Sequence, residues 1–463
     1  GHSHTMRKKE LEVVRMQKLV ITGGIPLEGT VTLQGAKNSV LPILAASLLC
    51  RGETVLENCP RLTDVFSACR ILTALGCRCS MKGHVARIQA DGVDCVEISE
   101  SLMQEMRSSI IFLGALLGRY GSCTLSYPGG CELGPRPIDM HLQALRSMGA
   151  EIVQNGGKLL CRAAKGLHGE KIPFKYPSVG ATENIMLAAV LAKGTTIIYH
   201  AAREPEICDL ASFLRQCGAK IYGDGGDTIT IEGVSALHGT VYQIMPDRIV
   251  GMTYLTAAAM TGGTLQMKQT EPSQMENLLP VLEQAGCRLD VAQKTIYLHA
   301  PARLRALPPI RTMPHPGFPT DAQAIVMAML TGADGVSVFE ETVFENRYRH
   351  VDALLKMGAE IYVSGQTGIV PEPHPQPPLT QGRPGVLHPR GRQAPQQKQG
   401  PGPPLHPAGQ GQNSQRPRPI HRAQGQHPQA LPAPAASGKP GIGRLQQKTA
   451  KAVPHKIPKP NHE

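Results

Sequence analysis

Met148-Gly149-Ala150 ends one apolar, helix-like run and opens a β-branched one, and the chain repeats the device four more times. The other copies are Leu75-Gly76-Cys77, Cys217-Gly218-Ala219, Ala285-Gly286-Cys287 and Met357-Gly358-Ala359, so that the glycines stand 73, 69, 68 and 72 residues apart. A glycine just past a helix can take the left-handed conformation that a side chain resists. Strand openings recur with the same period: Gly52-Glu53-Thr54-Val55, Gly121-Ser122-Cys123-Thr124, Gly194-Thr195-Thr196-Ile197, Gly263-Thr264-Leu265 and Gly335-Val336-Ser337-Val338. An internal period of about 70 residues means one supersecondary unit copied, each copy burying its apolar helix faces against its neighbours. Helices alternate with short strands, so the class is α/β, or α+β by segregation.

After about Val370 the pattern stops. The last 93 residues hold 21 of the 39 prolines and no Cys, Asp, Phe, Tyr or Trp. Such a segment cannot bury enough apolar surface to offset chain entropy, so 371–463 is predicted to be disordered. It reads as an interaction or RNA-binding tail, as a linker, or as the product of a shifted reading frame. The break falls inside a unit, just after the strand-like Glu360-Ile361-Tyr362-Val363, and this favours the shifted frame. The same tail carries 13 Lys/Arg against 2 Asp/Glu, and so accounts for almost all of the net charge of +12. The remainder is balanced, and no nucleic-acid partner is expected for it.

No apolar run approaches 18 residues, which predicts no membrane span; Ile110 to Leu117 has core length. Of the 12 cysteines only Cys77 and Cys79 stand close together, so no zinc-type spacing and no metal site are expected. Reduced thiols in a cytoplasmic protein fit this usage. Pro128-Gly129-Gly130-Cys131-Glu132-Leu133-Gly134-Pro135-Arg136-Pro137-Ile138-Asp139-Met140-His141 is a different kind of stretch. Its glycines and prolines argue for a loop. A cysteine there can be inert, but a thiol with cations nearby has a lowered pKa, and Arg136 and His141 could supply that field. This is the candidate active-site loop.

Several stretches together resemble the enolpyruvyl transferases, in particular the branch that acts on UDP-N-acetylglucosamine. They are Leu33-Gln34-Gly35-Ala36-Lys37-Asn38, Met106-Arg107-Ser108-Ser109-Ile110, the Cys131 loop, and Pro177-Ser178-Val179-Gly180-Ala181-Thr182. Then come Ala202-Arg203-Glu204-Pro205-Glu206, Met245-Pro246-Asp247-Arg248, His315-Pro316-Gly317-Phe318-Pro319-Thr320-Asp321 and Glu341-Thr342-Val343-Phe344-Glu345-Asn346-Arg347. The resemblance covers about 17–370. It implies a two-domain fold of repeated βαβαββ units, six in all where five are found here. One domain would take 17–36 plus 246–370 and the other 37–245.

By the same resemblance, the enolpyruvyl group of phosphoenolpyruvate moves to the 3-hydroxyl of UDP-N-acetylglucosamine, phosphate leaves, and no cofactor is needed. This would be the first committed step of peptidoglycan synthesis. Cys131 would protonate the enol methylene carbon and Asp321 would take the hydroxyl proton. Lys37 and Arg136 would clamp phosphoenolpyruvate, with Arg107 and Arg347 as further cations. Asn38 would orient substrate, and Arg136, Pro137, Ile138, Asp139 and Met140, with Tyr176, Pro177, Ser178 and Val179, would hold the nucleotide. Val343 would contact it through its backbone. A monomer is expected. Two late arginine segments of the family find no match here, which opens the alternative of a UDP-sugar-binding homologue with impaired turnover. A third reading is the relative that acts on shikimate phosphate. That relative does not use a loop cysteine and has a Ser-Lys-Ser type motif where this chain has Ala36-Lys37-Asn38.

Overall fold

The computed structural model describes residues 21–128 and 138–373. Most of the expected tail therefore lies outside the described residues. Eleven α-helices are found among them: α1 (Lys37–Ala46), α2 (Thr63–Ala74), α3 (Glu100–Glu105), α4 (Phe112–Tyr120), α5 (Asp139–Ser147), α6 (Val179–Ala189), α7 (Pro205–Gln216), α8 (Arg248–Met260), α9 (Leu279–Gln284), α10 (Thr320–Leu330) and α11 (Val351–Lys356). Asp139, Met140 and His141, read as loop, are the first residues of α5.

Five four-stranded sheets share one plan: a parallel edge strand, then strands that alternate antiparallel. Each sheet goes with two helices of different character. The first, α1, α4, α6, α8 or α10, is apolar over most of its surface and largely buried; in α6 every residue from Ala181 to Ala189 is buried, while α8 leaves Thr253, Tyr254 and Met260 exposed. The second, α2, α5, α7, α9 or α11, ends at one of the five repeat glycines. These glycines have φ between +97° and +103°. Each closes the helix with the same two bonds: in α5, Ala150 N–H donates to Leu145 O and Gly149 N–H to Arg146 O, both at 3.0 Å. The strand-opening glycines are positive in φ in four units; in the fourth unit Gly262, one residue earlier than expected, takes that role.

In three units the parallel edge strand precedes the buried helix of its own unit: Glu97–Ile98, Lys171–Pro173 and Ile310–Arg311. In the other two it is exchanged. Glu28–Thr32 precedes α1 but pairs with Thr264–Lys268, beyond α8. Val241–Gln243 precedes α8 but pairs with Glu53–Glu57, beyond α1. The chain thus crosses twice between two hydrophobic cores. One is built from residues between Val40 and Ile244, and the other from Leu33 with residues between Met252 and Val370. Three units pack in the first core and two, among the described residues, in the second. None of the described helices is long and apolar enough to cross a membrane.

Candidate functional site

The buried helix of each unit begins with a residue that sequence reasoning singled out or stands in a quoted motif. Lys37 opens α1, Arg107 opens the 3₁₀ turn (Arg107–Ile111) leading into α4, Val179 opens α6, Arg248 opens α8, and Thr320 and Asp321 open α10. The unpaired N–H groups at a helix start carry partial positive charge, so such ends suit anions. Side-chain hydrogen bonds bring these elements together in groups. Asn184 of α6 donates through Nδ2 to Ile110 O (2.8 Å) and to His141 Nδ1 (2.9 Å), while its Oδ1 accepts from Gly114 N (2.6 Å). That ties the middle of α6 to the starts of α4 and α5. Asp247 bonds to the starts of both α1 and α8.

His141 departs from expectation. Both Asn184 amide hydrogens are committed, so His141 Nδ1 must accept and its proton sits on Nε2. Burial pushes its pKa down to about 4. It is therefore neutral near pH 7 and lends no positive field to the neighbouring loop. Cys131, Arg136 and Pro137 lie outside the described residues. Ile138 and Met140 pack against the first core and Asp139 is exposed.

Lys37 Nζ is 2.6 Å from Asp64 Oδ2 and half-exposed, and Asn38 is exposed beside it. Arg107 is half-buried. Tyr176 stands exposed before Pro177 and Ser178, and Ser178 Oγ caps α6 by accepting from Ala181 N at 3.4 Å. Asp321 is the second residue of α10, not its cap; Arg347 Nη2 reaches its Oδ1 at 2.7 Å. The Arg347 guanidinium also lies 5.5 Å over the Phe344 ring. Glu341, 1% exposed, fixes this loop by accepting from Thr320 Oγ1, Val343 N and Phe344 N at 2.8, 2.9 and 3.1 Å. With its N–H so engaged, Val343 has its carbonyl for any backbone contact.

Sequence reasoning gave no role to a buried charged group between the cores. Arg248 meets Glu206 of α7 through two bonds of 2.9 and 3.1 Å, with both side chains almost wholly buried. Burial opposes the Arg248 charge, but Glu206 and Glu204 outweigh it and raise its pKa. Burial raises Glu183 and Glu204, and the charge of Glu206 adds to both shifts. Both motifs were visible as text, and Asp247 before an apolar run is an N-cap signal; the pairing across 42 residues had no local signal. A cavity of about 370 Å³ lies beside this group, lined among others by Arg203, Cys208, Asp209, Gln274 and His315. None of the predicted site residues lines it.

Residues 21–379 match the family model described as EPSP synthase (3-phosphoshikimate 1-carboxyvinyltransferase). UDP-N-acetylglucosamine 1-carboxyvinyltransferase 2 of Caldanaerobacter subterraneus subsp. tengcongensis is 46% identical over 355 residues, covering 77% of this chain and 85% of that protein. UDP-N-acetylglucosamine 1-carboxyvinyltransferase 1 of Symbiobacterium thermophilum is 44% identical over 359 residues, 76% of this chain and 81% of that one. Among solved structures, the enolpyruvyl transferase NikO from Streptomyces tendae matches with TM-score 0.68 and 23% identity, covering 76% of this chain and 83% of that one. EPSP synthase from Acinetobacter baumannii matches with TM-score 0.59 and 18% identity over the same shares, 76% and 83%. These two likenesses show the fold.

Proposed function

The chain belongs to the enolpyruvyl transferases, a family of transferase enzymes, and within it we propose that it moves the enolpyruvyl group of phosphoenolpyruvate to the 3-hydroxyl of UDP-N-acetylglucosamine with release of phosphate. The observation that carries this is the identity of 43–46% to relatives named UDP-N-acetylglucosamine 1-carboxyvinyltransferase. Impaired turnover draws no support from those relatives, all of which are named as enzymes. The family model bears the name of the shikimate enzyme, but the cysteine loop and Ala36-Lys37-Asn38 favour the nucleotide sugar.

In this reading Asp321, oriented by Arg347, takes the proton of the sugar 3-hydroxyl as its oxygen bonds to carbon 2 of phosphoenolpyruvate. Cys131 gives its proton to the methylene carbon, which becomes a methyl group. The tetrahedral adduct then returns a methyl proton to the Cys131 thiolate, phosphate leaves with the electron pair of its C–O bond, and the enol ether forms. Lys37 and Arg136 clamp phosphoenolpyruvate, with Arg107 as a further cation, and the helix starts add positive potential. Asn38 orients substrate, and Pro137 to Met140 with Tyr176 to Val179 hold the nucleotide. The two cores act as domains, 17–36 plus 246–370 and 37–245, that close on the substrates and exclude water. The enzyme works as a monomer in the cytoplasm, where charged substrates that do not cross a bilayer are found.

Phosphate release from phosphoenolpyruvate tests the reaction, run with UDP-N-acetylglucosamine and, separately, with shikimate 3-phosphate. Release with the nucleotide sugar alone is expected; release with shikimate 3-phosphate alone would overturn the reading.

A further inference from the structure

The two crossings between the cores run side by side as an antiparallel pair. Ala36 N–H donates to Met245 O at 2.8 Å, Asp247 N–H donates to Gln34 O at 2.9 Å, and Gly35 bridges Pro246. Gly35 also runs against the chain after Glu53–Glu57: a Cβ there would lie 1.9 Å from Asn58 O, and 3.2 Å from the Ile244 side chain of the other crossing. A helix starts at the end of each crossing: α1 in the first core and α8 in the second. The residue before α8 is Asp247, and its Oδ1 accepts from Ile249 N (3.0 Å) and Val250 N (3.1 Å), as an N-cap does. The residue before α1 is Ala36, which has no side chain to cap with. Its place is taken across the junction: Asp247 Oδ2 accepts from Lys37 N at 3.2 Å. One carboxylate, 5% exposed, therefore caps two helices that belong to different cores.

An aspartate before a helix ordinarily serves that helix alone. Here the second oxygen fixes the first turn of α1, and with it the backbone from which the Lys37 ammonium extends. Resting on the reading of Lys37 as a phosphoenolpyruvate clamp, we propose that Asp247 is a positioning residue: it sets Lys37 by capping α1 from the other core. Lys37 is then registered to the start of α8, and any shift of one core against the other is felt at that lysine.

Asparagine caps as well as aspartate. In Asp247→Asn the side-chain carbonyl still serves Ile249 and Val250, while the amide turns a donor towards Lys37 N–H. Hydrogen exchange should therefore quicken, by about tenfold, in peptides spanning residues 33–41 and stay unchanged in those spanning 246–253. The KM for phosphoenolpyruvate should rise about tenfold, the loss of one charge-assisted contact, with kcat and UDP-N-acetylglucosamine binding unmoved. Asp247→Ser, whose single hydroxyl caps one helix at a time, should behave alike and stands in if the asparagine variant does not fold. Equal exchange changes in both helices, or none, would make Asp247 an ordinary structural residue and overturn the proposal. So would faster exchange at α1 with an unchanged KM. Exchange is read without turnover, so a wild-type protein that releases no phosphate counts against the proposed reaction and leaves the capping result standing.

Discussion

Helices α5 and α11 run to their stops in almost the same words. His141-Leu142-Gln143-Ala144-Leu145-Arg146-Ser147-Met148-Gly149-Ala150-Glu151-Ile152 stands beside His350-Val351-Asp352-Ala353-Leu354-Leu355-Lys356-Met357-Gly358-Ala359-Glu360-Ile361. Their backbones agree as closely: both close on a glycine at φ +97° with the same pair of terminal bonds. Their surroundings do not. Met148 is fully buried and Met357 is 67% exposed; Ala144 is buried and Ala353 exposed. The cause is the neighbour. α5 lies against α6, the buried helix of the next unit, whereas no unit follows α11 among the described residues. Twelve residues can write the shape of a helix and its stop, but the unit that comes after decides which face is core.

That contrast can be broken by experiment. The largest difference should come from the two methionines. Met148→Ala removes a fully buried side chain and should cost about 2–5 kcal/mol by urea denaturation, while Met357→Ala should stay within about 0.5 kcal/mol. Equal costs would mean that Met357 is covered in solution.

The histidines come next. His141 titrates at about 4 in the folded protein against 6.5 unfolded, because it is buried. The unfolded chain binds the extra proton between those values, so the contribution is complete above pH 6.5 and is lost as pH falls to about 4. The loss should approach roughly 3 kcal/mol, measured as the difference in pH dependence between wild type and His141→Gln. His350, half-buried and also lowered by burial, should show a smaller loss in the same direction.

The glycines should differ least. Gly149→Ala and Gly358→Ala both force a side chain into the left-handed region, at about 1–2 kcal/mol each. A Cβ on Gly149 would also come within 3.1 Å of the His168 ring, whereas on Gly358 it meets nothing within 4 Å. Gly358→Ala should therefore report the backbone strain by itself, and Gly149→Ala slightly more.

What could be read from the sequence follows the same division. The repeat was legible because each helix stop is local: a glycine and a small residue suffice to announce it, and all five lie where they were read. Lys37, Arg107, Val179 and Asp321 stood out through the family resemblance as site residues, and that they start the buried helices was not read from the sequence. Non-local facts were not written in the residues themselves; the grouping of 17–36 with 246–370 was implied only by the family resemblance. Nothing within Glu28–Thr32 says that it pairs with Thr264–Lys268 and not with the nearer Glu53–Glu57. Asp247 announced a cap but not a second client, since that depends on where the other crossing runs. His141 looked like a cation because its text is that of a loop; the burial that neutralises it comes from Asn184 and the helices around it.

The strand exchange also bears on how the chain is made. Glu28–Thr32 emerges from the ribosome early, yet its partner lies 236 residues downstream, behind the whole of the first core. At about 5–20 residues per second, that edge stays without its partner on the order of tens of seconds. Its residues Glu28-Gly29-Thr30-Val31-Thr32 contain one apolar side chain, Val31. A strand so polar is a poor template for stray pairing, and it can wait.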